Sequence, residues 1–286
     1  MSQQPPSSTL CTNCRKLIAR TDSTCPHCGV RYPALFGLGP AVQRILAEDL
    51  VEAFIIVCGA VFVLHLGLTF IVDRDVLLQP TSFFSIGAPS TRVVLLSGAT
   101  WQPDLLAGRV WTLITASFVH LSILHIGFNL MWLGSLGRAA TALWGTARFI
   151  IVFTLTGIGG FLLSNLVWGG PTAGASCALF GLMGALATFG YRRGGQVGEQ
   201  IKQQMVRWVV LAVLISLGIG GVNHFGHAGG LFTGIALGFW IPRHETRTAP
   251  RWVDLAALAC LALTVLSLGI ALVGWFVRSP AIFGSG

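Results

Sequence analysis

The sequence predicts an all-α membrane protein: six spanning helices in a bundle, one further C-terminal span, and a small cysteine-rich ribbon in front. Three observations carry this. The 286 residues are 53% hydrophobic and only 10% charged, whereas soluble domains carry roughly 25% charged residues. Mean hydropathy is +0.75. From about residue 50, apolar runs alternate with short polar breaks. Ahead of them, residues 1–49 are polar and hold four of the seven cysteines.

The ribbon comes first. Cys11-Thr-Asn-Cys14 and Cys25-Pro-His-Cys28-Gly29 are two C-x2-C knuckles with ten residues between them. That spacing suits a tetrahedral, structural zinc site with ligands Cys11, Cys14, Cys25 and Cys28. All four positions are filled, so none is left for a catalytic water. A reduced cytoplasmic setting favours metal over a disulfide pair or a redox dithiol. His27 lies inside a knuckle and reads as a spectator. A unit this small is expected to need its metal to fold. The expected layout is a ribbon at 1–35, a linker or amphipathic segment at 36–49, a six-span core at 50–241, and a loop plus seventh helix at 242–286. The first ten residues lack an apolar h-region, so the first long run is expected to act as an uncleaved anchor.

The spans are expected near 51–72, 117–137, 148–168, 174–191, 206–222, 226–241 and 253–277. A bilayer core of ~30 Å needs ~20 helical residues, so the fifth and sixth runs are short and fit only as members of a bundle. Seven spans divide the 18 Lys and Arg residues into fourteen on the N-terminal side and four (Arg74, Arg92, Arg109, Arg278) on the other. The positive-inside rule then puts the N-terminus in the cytoplasm and the C-terminus outside. The expected location is a bacterial inner membrane, with the chain crossing the bilayer many times. Between the first two spans, residues 73–116 form a long outer segment with Trp101 and Trp111, expected at the outer interface. The basic residues form no stripe, which argues against nucleic-acid binding.

Polar residues inside spans carry the chemistry. His120, His125 and Asn129 fall on the second span, Ser176 near the start of the fourth, and His227 at the start of the sixth. With alternating topology, all sit at one level near the outer side. His125 and Asn129 are four apart and share a face; His120 cannot share it and belongs to the turn leading into the helix. Gly226, Gly230, Gly234 and Gly238 make a side-chain-free stripe, and the fourth span offers Gly174, Ala178, Gly181 and Ala185 at similar spacing. Such faces let helices approach closely. They are commonly no more than tight packing, but here they would bring a serine to a histidine. The ten acidic residues all lie in tails, loops or span edges. That excludes paired intramembrane carboxylates and a triad acid, and H-E-x-x-H is absent. A Ser176–His227 nucleophile–base dyad remains. His65, Cys58 and Cys260 read as structural residues within spans.

These motifs resemble one family. H-x4-H-x3-N (His120, His125, Asn129), G-x-S (Gly174, Ser176) and the G-H-x-G-G run around His227 resemble the rhomboid intramembrane serine proteases over residues 50–241. The resemblance implies a rhomboid-like six-helix bundle that hydrolyses peptide bonds of transmembrane protein substrates within the bilayer, with no cofactor for catalysis. It implies Ser176 as nucleophile, His227 as base and then acid, and His125, Asn129 and the Ser176 amide as oxyanion donors. Phe180 would pack on the catalytic imidazole. Three positions depart from the pattern. Cys177 stands where glycine is usual and is expected to crowd the oxyanion hole or alter the helix start. Trp111-Thr112 replaces a Trp-Arg pair, and Thr141 stands near a usual glutamate, which implies different loop anchoring. The alternative is an inactive rhomboid-like protein that binds transmembrane segments. A Cys177 thiol nucleophile is disfavoured, because its side chain points about 100° away from Ser176 on a helix. The partner of the ribbon is not readable from the sequence.

Overall fold

A computed structural model describes residues 8–34, 50–219, 221–246 and 249–278. The expected linker at 36–49 lies outside the described residues. The ribbon is a two-stranded antiparallel sheet, β1 (Ser8–Leu10) and β2 (Leu17–Ala19), with Leu10 opposite Leu17. Its small core comprises Cys11, Ile18, Cys25 and Ala34.

Seven long helices follow among the described residues. The first is α1 (Leu50–Val72). The segment after it is structured, with short helices α2 (Arg74–Leu78), α3 (Thr91–Ser97), α4 (Gln102–Leu106) and α5 (Thr112–Thr115). Then come α6 (Ile123–Trp144), α7 (Thr146–Val167), α8 (Ser176–Arg193), α9 (Gly195–Leu217), α10 (His224–Trp240) and α11 (Arg251–Arg278). Among the described residues, only α1, α7 and α11 are long and apolar enough to cross a membrane by themselves. The stretch Thr112–Phe118 plus α6 qualifies as a pair bent by 94°. The helices α8, α9 and α10 do not qualify alone. The sixth run is short as expected, but α9 has 23 residues and a polar first half, and α8 is the fourth run, which the sequence reads as a full span.

Two boundaries differ from expectation for local reasons. The second span was expected from residue 117, but Ser122 caps α6 by accepting a hydrogen bond from the His125 amide, so the helix starts at Ile123 and carries Arg138 within it. The fifth was expected from residue 206, but α9 starts at Gly195, directly after Gly194 closes α8 with φ +66. Its first half, with Glu199, Lys202 and Gln203, is polar and exposed.

The bundle is centred on α8, which packs against α7, α9 and α10. The α8–α10 seam is the closest. A Cβ on Gly230 would collide with the Cys177 carbonyl oxygen, and one on Gly234 with the Gly181 carbonyl oxygen. Apolar side chains gain little by leaving lipid for protein, so such close backbone contact is what holds membrane helices together. On the other flank, Phe54 of α1 meets Phe118, Phe149 and Phe153 at ring-centroid distances of 5.6, 5.7 and 5.1 Å.

The segment 73–116 is pinned by polar side chains. Buried Arg109 pairs with Asp104 and donates to the Leu95 and Leu96 carbonyls that end α3. This supplies the anchoring that the absent Trp-Arg pair left open. His65, read as a solitary structural residue, bonds Ser97 at 2.7 Å. At the opposite end of the bundle, Arg15 of the ribbon forms an ion pair with Asp254 of α11 at 3.0 Å, and Arg251 donates to the Arg31 carbonyl.

Candidate active site

Ser176 is the first residue of α8 and His227 the fourth of α10. Their helices run side by side along the glycine seam, which brings His227 Nε2 to 2.9 Å from Ser176 Oγ. The imidazole is stacked on the Phe180 ring, one turn further along α8, with centroids 4.3 Å apart and planes 13° apart. His227 Nδ1 is buried and has no hydrogen-bond partner among the described residues. Among the described residues the pair has no third, orienting acid; the stacked ring and the fixed backbone hold the imidazole instead.

Gly174 comes two residues before Ser176, with φ +124, a conformation that favours glycine. A Cβ there would lie 2.6 Å from His125 Nε2 and 3.6 Å from Ser176 Oγ. His125 and Ser176 thus face each other across a spot that only a hydrogen atom can occupy. His125 Nδ1 accepts the Leu121 amide at 3.3 Å. That fixes the proton on Nε2, so the nitrogen facing the site is a donor. Asn129 Nδ2 donates to the His125 carbonyl at 2.8 Å and is one turn away on the same face. Because Ser176 opens its helix, its amide has no intrahelical acceptor and points with the positive end of the helix dipole. The result is two N–H donors, His125 Nε2–H and the Ser176 amide, beside the Gly174 position next to Ser176 Oγ.

His120 is buried and packs edge-on against His125 at 5.3 Å, with neither ring nitrogen hydrogen-bonded among the described residues. It supports the His125 ring by contact and does not reach Ser176. Cys177, the position where glycine was expected, is buried. Its side chain is buried in the seam between α7 and α10, where a Cβ on Gly160 would be 2.6 Å from its Cβ and one on Gly226 would be 3.0 Å from its Sγ. Two glycines make room for it, and the sulfur turns away from the Ser176 hydroxyl.

A cavity of about 540 Å³ opens over the dyad. Its walls are mainly apolar and include Phe128, Met131 and Trp132 of α6 and Leu211, Ala212 and Ile215 of α9.

The second centre is the cysteine cluster. All four Sγ atoms lie within 4.8 Å of one another. The Cys11–Cys28 and Cys14–Cys25 separations are 3.8 and 3.7 Å. Bonds of ~2.3 Å to one central ion place tetrahedral sulfurs ~3.8 Å apart, whereas a disulfide needs about 2.05 Å. The Asn13 and His27 amides point at the Cys11 and Cys25 sulfurs. The Asn13 side chain and the Val30 amide push Cys28 down to about 6. Cys14 goes up to about 11, its bond from the Lys16 amide being outweighed by burial and by the neighbouring thiols. Four thiols this close do not all ionise unless a cation joins them. The cluster is able to hold a metal ion.

Comparison with known proteins decides the family. The chain is 31% identical over 188 residues to Rhomboid-like protease 3 of Toxoplasma gondii, an alignment covering 64% of this chain and 71% of that protein. The chain belongs to the rhomboid family. The sequence model of the Rhomboid domain matches residues 107–244, from just before α5 to just after α10. Rhomboid protease GluP of Bacillus subtilis is 29% identical over 161 residues, covering 55% of this chain and 32% of that one. Rhomboid protease GlpG of Yersinia pestis is 29% identical over 143 residues, covering 49% and 51%. The chain thus spans about a third to a half of the length of these two bacterial relatives. In this rhomboid protein, Asn223, Thr172 and Arg109 were not singled out from the sequence as site or anchor residues. An asparagine just ahead of a helical run is a capping signal, and Asp104 and Arg109 are close enough in sequence to pair.

Proposed function

We propose that the protein is an intramembrane serine endopeptidase that cleaves transmembrane protein substrates with a Ser176–His227 dyad. The observation that carries this reading is the 2.9 Å contact between Ser176 Oγ and His227 Nε2 inside a helical bundle. Ser176 Oγ attacks the scissile carbonyl carbon while His227 Nε2 takes its proton. Charge develops on the carbonyl oxygen, where the Ser176 amide, His125 Nε2–H and Asn129 Nδ2 stabilise it. Each such donor contributes on the order of 3 kcal/mol to the rate. His227 then gives the proton to the leaving amine as the tetrahedral intermediate collapses and the peptide bond breaks, leaving an acyl ester on Ser176. A water molecule, deprotonated by His227, hydrolyses the ester and restores the hydroxyl. The apolar cavity between α6 and α9 suits an apolar segment arriving from the bilayer.

In this reading the ribbon and the N-terminus are cytoplasmic, the dyad lies toward the outer face, and α11 ends outside. The distribution of Lys and Arg supports that orientation. Zinc is the metal that the four thiolates and their ~3.8 Å spacing suit best, and its role is structural. Residues 8–34 form the ribbon unit, α1 to α10 the catalytic core, and α11 the added helix.

The test is covalent labelling of the purified protein with a fluorophosphonate probe. The protein should label, and Ser176→Ala and His227→Ala should each abolish labelling. No labelling of the starting protein beside a labelled control would overturn the assignment in favour of a non-catalytic protein that binds transmembrane segments. Metal analysis should find about one zinc per chain, lost when Cys11 and Cys14 are replaced.

A further inference from the structure

We propose that Asn223 is a positioning residue that sets the base and the nucleophile in register, an inference resting on the dyad reading above. Asn223 caps α10, its Oδ1 accepting the Gly226 amide at 3.1 Å. Its main-chain carbonyl accepts the His227 amide at 3.4 Å. So far this is ordinary capping, for which Ser, Thr or Asp serves equally well. The rest of the side chain is what singles out asparagine. Nδ2 donates both its hydrogens, to Ser164 Oγ at the end of α7 at 2.5 Å and to Thr172 Oγ1 at 2.8 Å. Ser164 and Thr172 also bond each other at 2.9 Å. Only an amide can cap with its oxygen while giving two hydrogen bonds with its nitrogen.

Thr172 lies four residues before Ser176 and is itself held. Its main chain exchanges two hydrogen bonds with Thr100, at 3.0 and 2.8 Å. Two residues later the Gly174 amide donates to the Ala116 carbonyl at 2.8 Å. The segment that delivers the nucleophile is therefore tied on one side to residues 100–116 and on the other to the residue that starts the base helix. One side-chain amide joins the two halves of the dyad across 51 residues of sequence. Asn223 does not touch the reacting atoms; it acts through the Thr172 hydroxyl and the His227 main-chain amide.

The experiment compares the full-length protein with Asn223→Ser, Asn223→Asp and Thr172→Val. Two quantities are read: the maximal rate of fluorophosphonate labelling, and amide hydrogen exchange in segments 172–176 and 223–227. Asn223→Ser and Asn223→Asp keep the cap and lose the two donated bonds. They should lower the maximal labelling rate roughly 10- to 100-fold, the cost of a small misplacement of reacting groups. Probe affinity should not change. Exchange in 172–176 should rise in Asn223→Ser although the substitution is far away in sequence. Thr172→Val should slow labelling similarly, and combining it with Asn223→Ser should add little, because both break one link. A pure capping role predicts full labelling and unchanged exchange in both cap-preserving variants, and that result overturns the proposal. If the starting protein does not label, the dyad reading fails, and the exchange data alone decide whether Asn223 ties the two segments.

Discussion

The α8–α10 seam and the α6–α9 gap are built from opposite materials. In the seam, backbone meets backbone: Gly226, Gly230 and Gly234 lie against Cys177 and Gly181, and a Cβ at Gly230 or Gly234 has nowhere to go. Across the gap, large side chains meet: Trp132 of α6 and Trp208 of α9 touch edge to face at 4.8 Å, beside a cavity of about 540 Å³. A backbone contact has one geometry, and an aromatic contact has several of nearly equal energy. The side that holds Ser176 Oγ and His227 Nε2 within hydrogen-bond distance is the side with the closest backbone approach. The side that a long apolar segment would have to pass is the one that can repack.

The largest expected effect tests the seam. Gly230→Val should destabilise the protein by at least about 3 kcal/mol, because the clash is with main chain that cannot rotate away. Unfolding in mixed detergent micelles measures it, and labelling of Ser176 should fall with it. Gly59→Val and Gly269→Val are the controls: nothing lies within 4 Å of a Cβ at either position, so both should be close to neutral. Equal losses at all three sites would mean that the seam is no more exacting than a lipid-facing surface.

A smaller effect is expected at Cys177. Its sulfur fills the space left by Gly160 and Gly226, so Cys177→Gly should leave a small cavity and lower stability by about 1–2 kcal/mol. Because the side chain turns away from Ser176 Oγ, the labelling rate should stay within about twofold of the starting protein. A large gain in rate would show that Cys177 does hinder the oxyanion donors, as its position in the sequence suggests.

The gap should respond less in stability and differently in kind. Trp132→Ala removes an edge-to-face pair of ~0.5–1.5 kcal/mol, at a place where lipid or detergent can fill the space. Labelling by a small probe should be unchanged, while cleavage of a transmembrane substrate should hold or rise. A loss of small-probe labelling would place Trp132 in the support of the dyad and erase the contrast with the seam.

The two regions also differ in how far the sequence revealed them. The glycine stripe is periodic, so the seam and the meeting of Ser176 with His227 could be read from spacing alone. The shared face of His125 and Asn129 followed from the helical period, whereas the stacking of Phe180 was implied only by the rhomboid resemblance. What spacing could not show was direction. Cys177 follows Ser176 directly, yet only the positions of Gly160, seventeen residues earlier, and Gly226 decide where its sulfur goes. Asn223 and Thr172 are 51 residues apart and meet only in the folded bundle. Arg109 was counted merely as one of four outer charges, although its guanidinium ends α3 and holds Asp104. Pattern reveals a face; polar links between segments distant in sequence leave no period to read.

The smallest effect is expected at the far end, where the ribbon meets α11. Arg15 pairs with Asp254, whose side chain is 5% exposed, while that of Arg15 is 30% exposed. The charge on Arg148 also acts on Asp254. Arg15→Ala therefore leaves the acid with a second cation, and the partly exposed pair is discounted by solvent, so the bundle should lose less than about 1 kcal/mol. The ribbon should become more open to limited proteolysis, since its ion pair to α11 is gone, while the Arg251–Arg31 bond remains. Stripping the metal should open the ribbon further and leave labelling of Ser176 unchanged, because ribbon and dyad sit at opposite ends of the bundle. If Arg15→Ala instead proved as costly as Gly230→Val, the ribbon would have to be part of the structural core, and the division between an exacting seam and a tolerant periphery would fail.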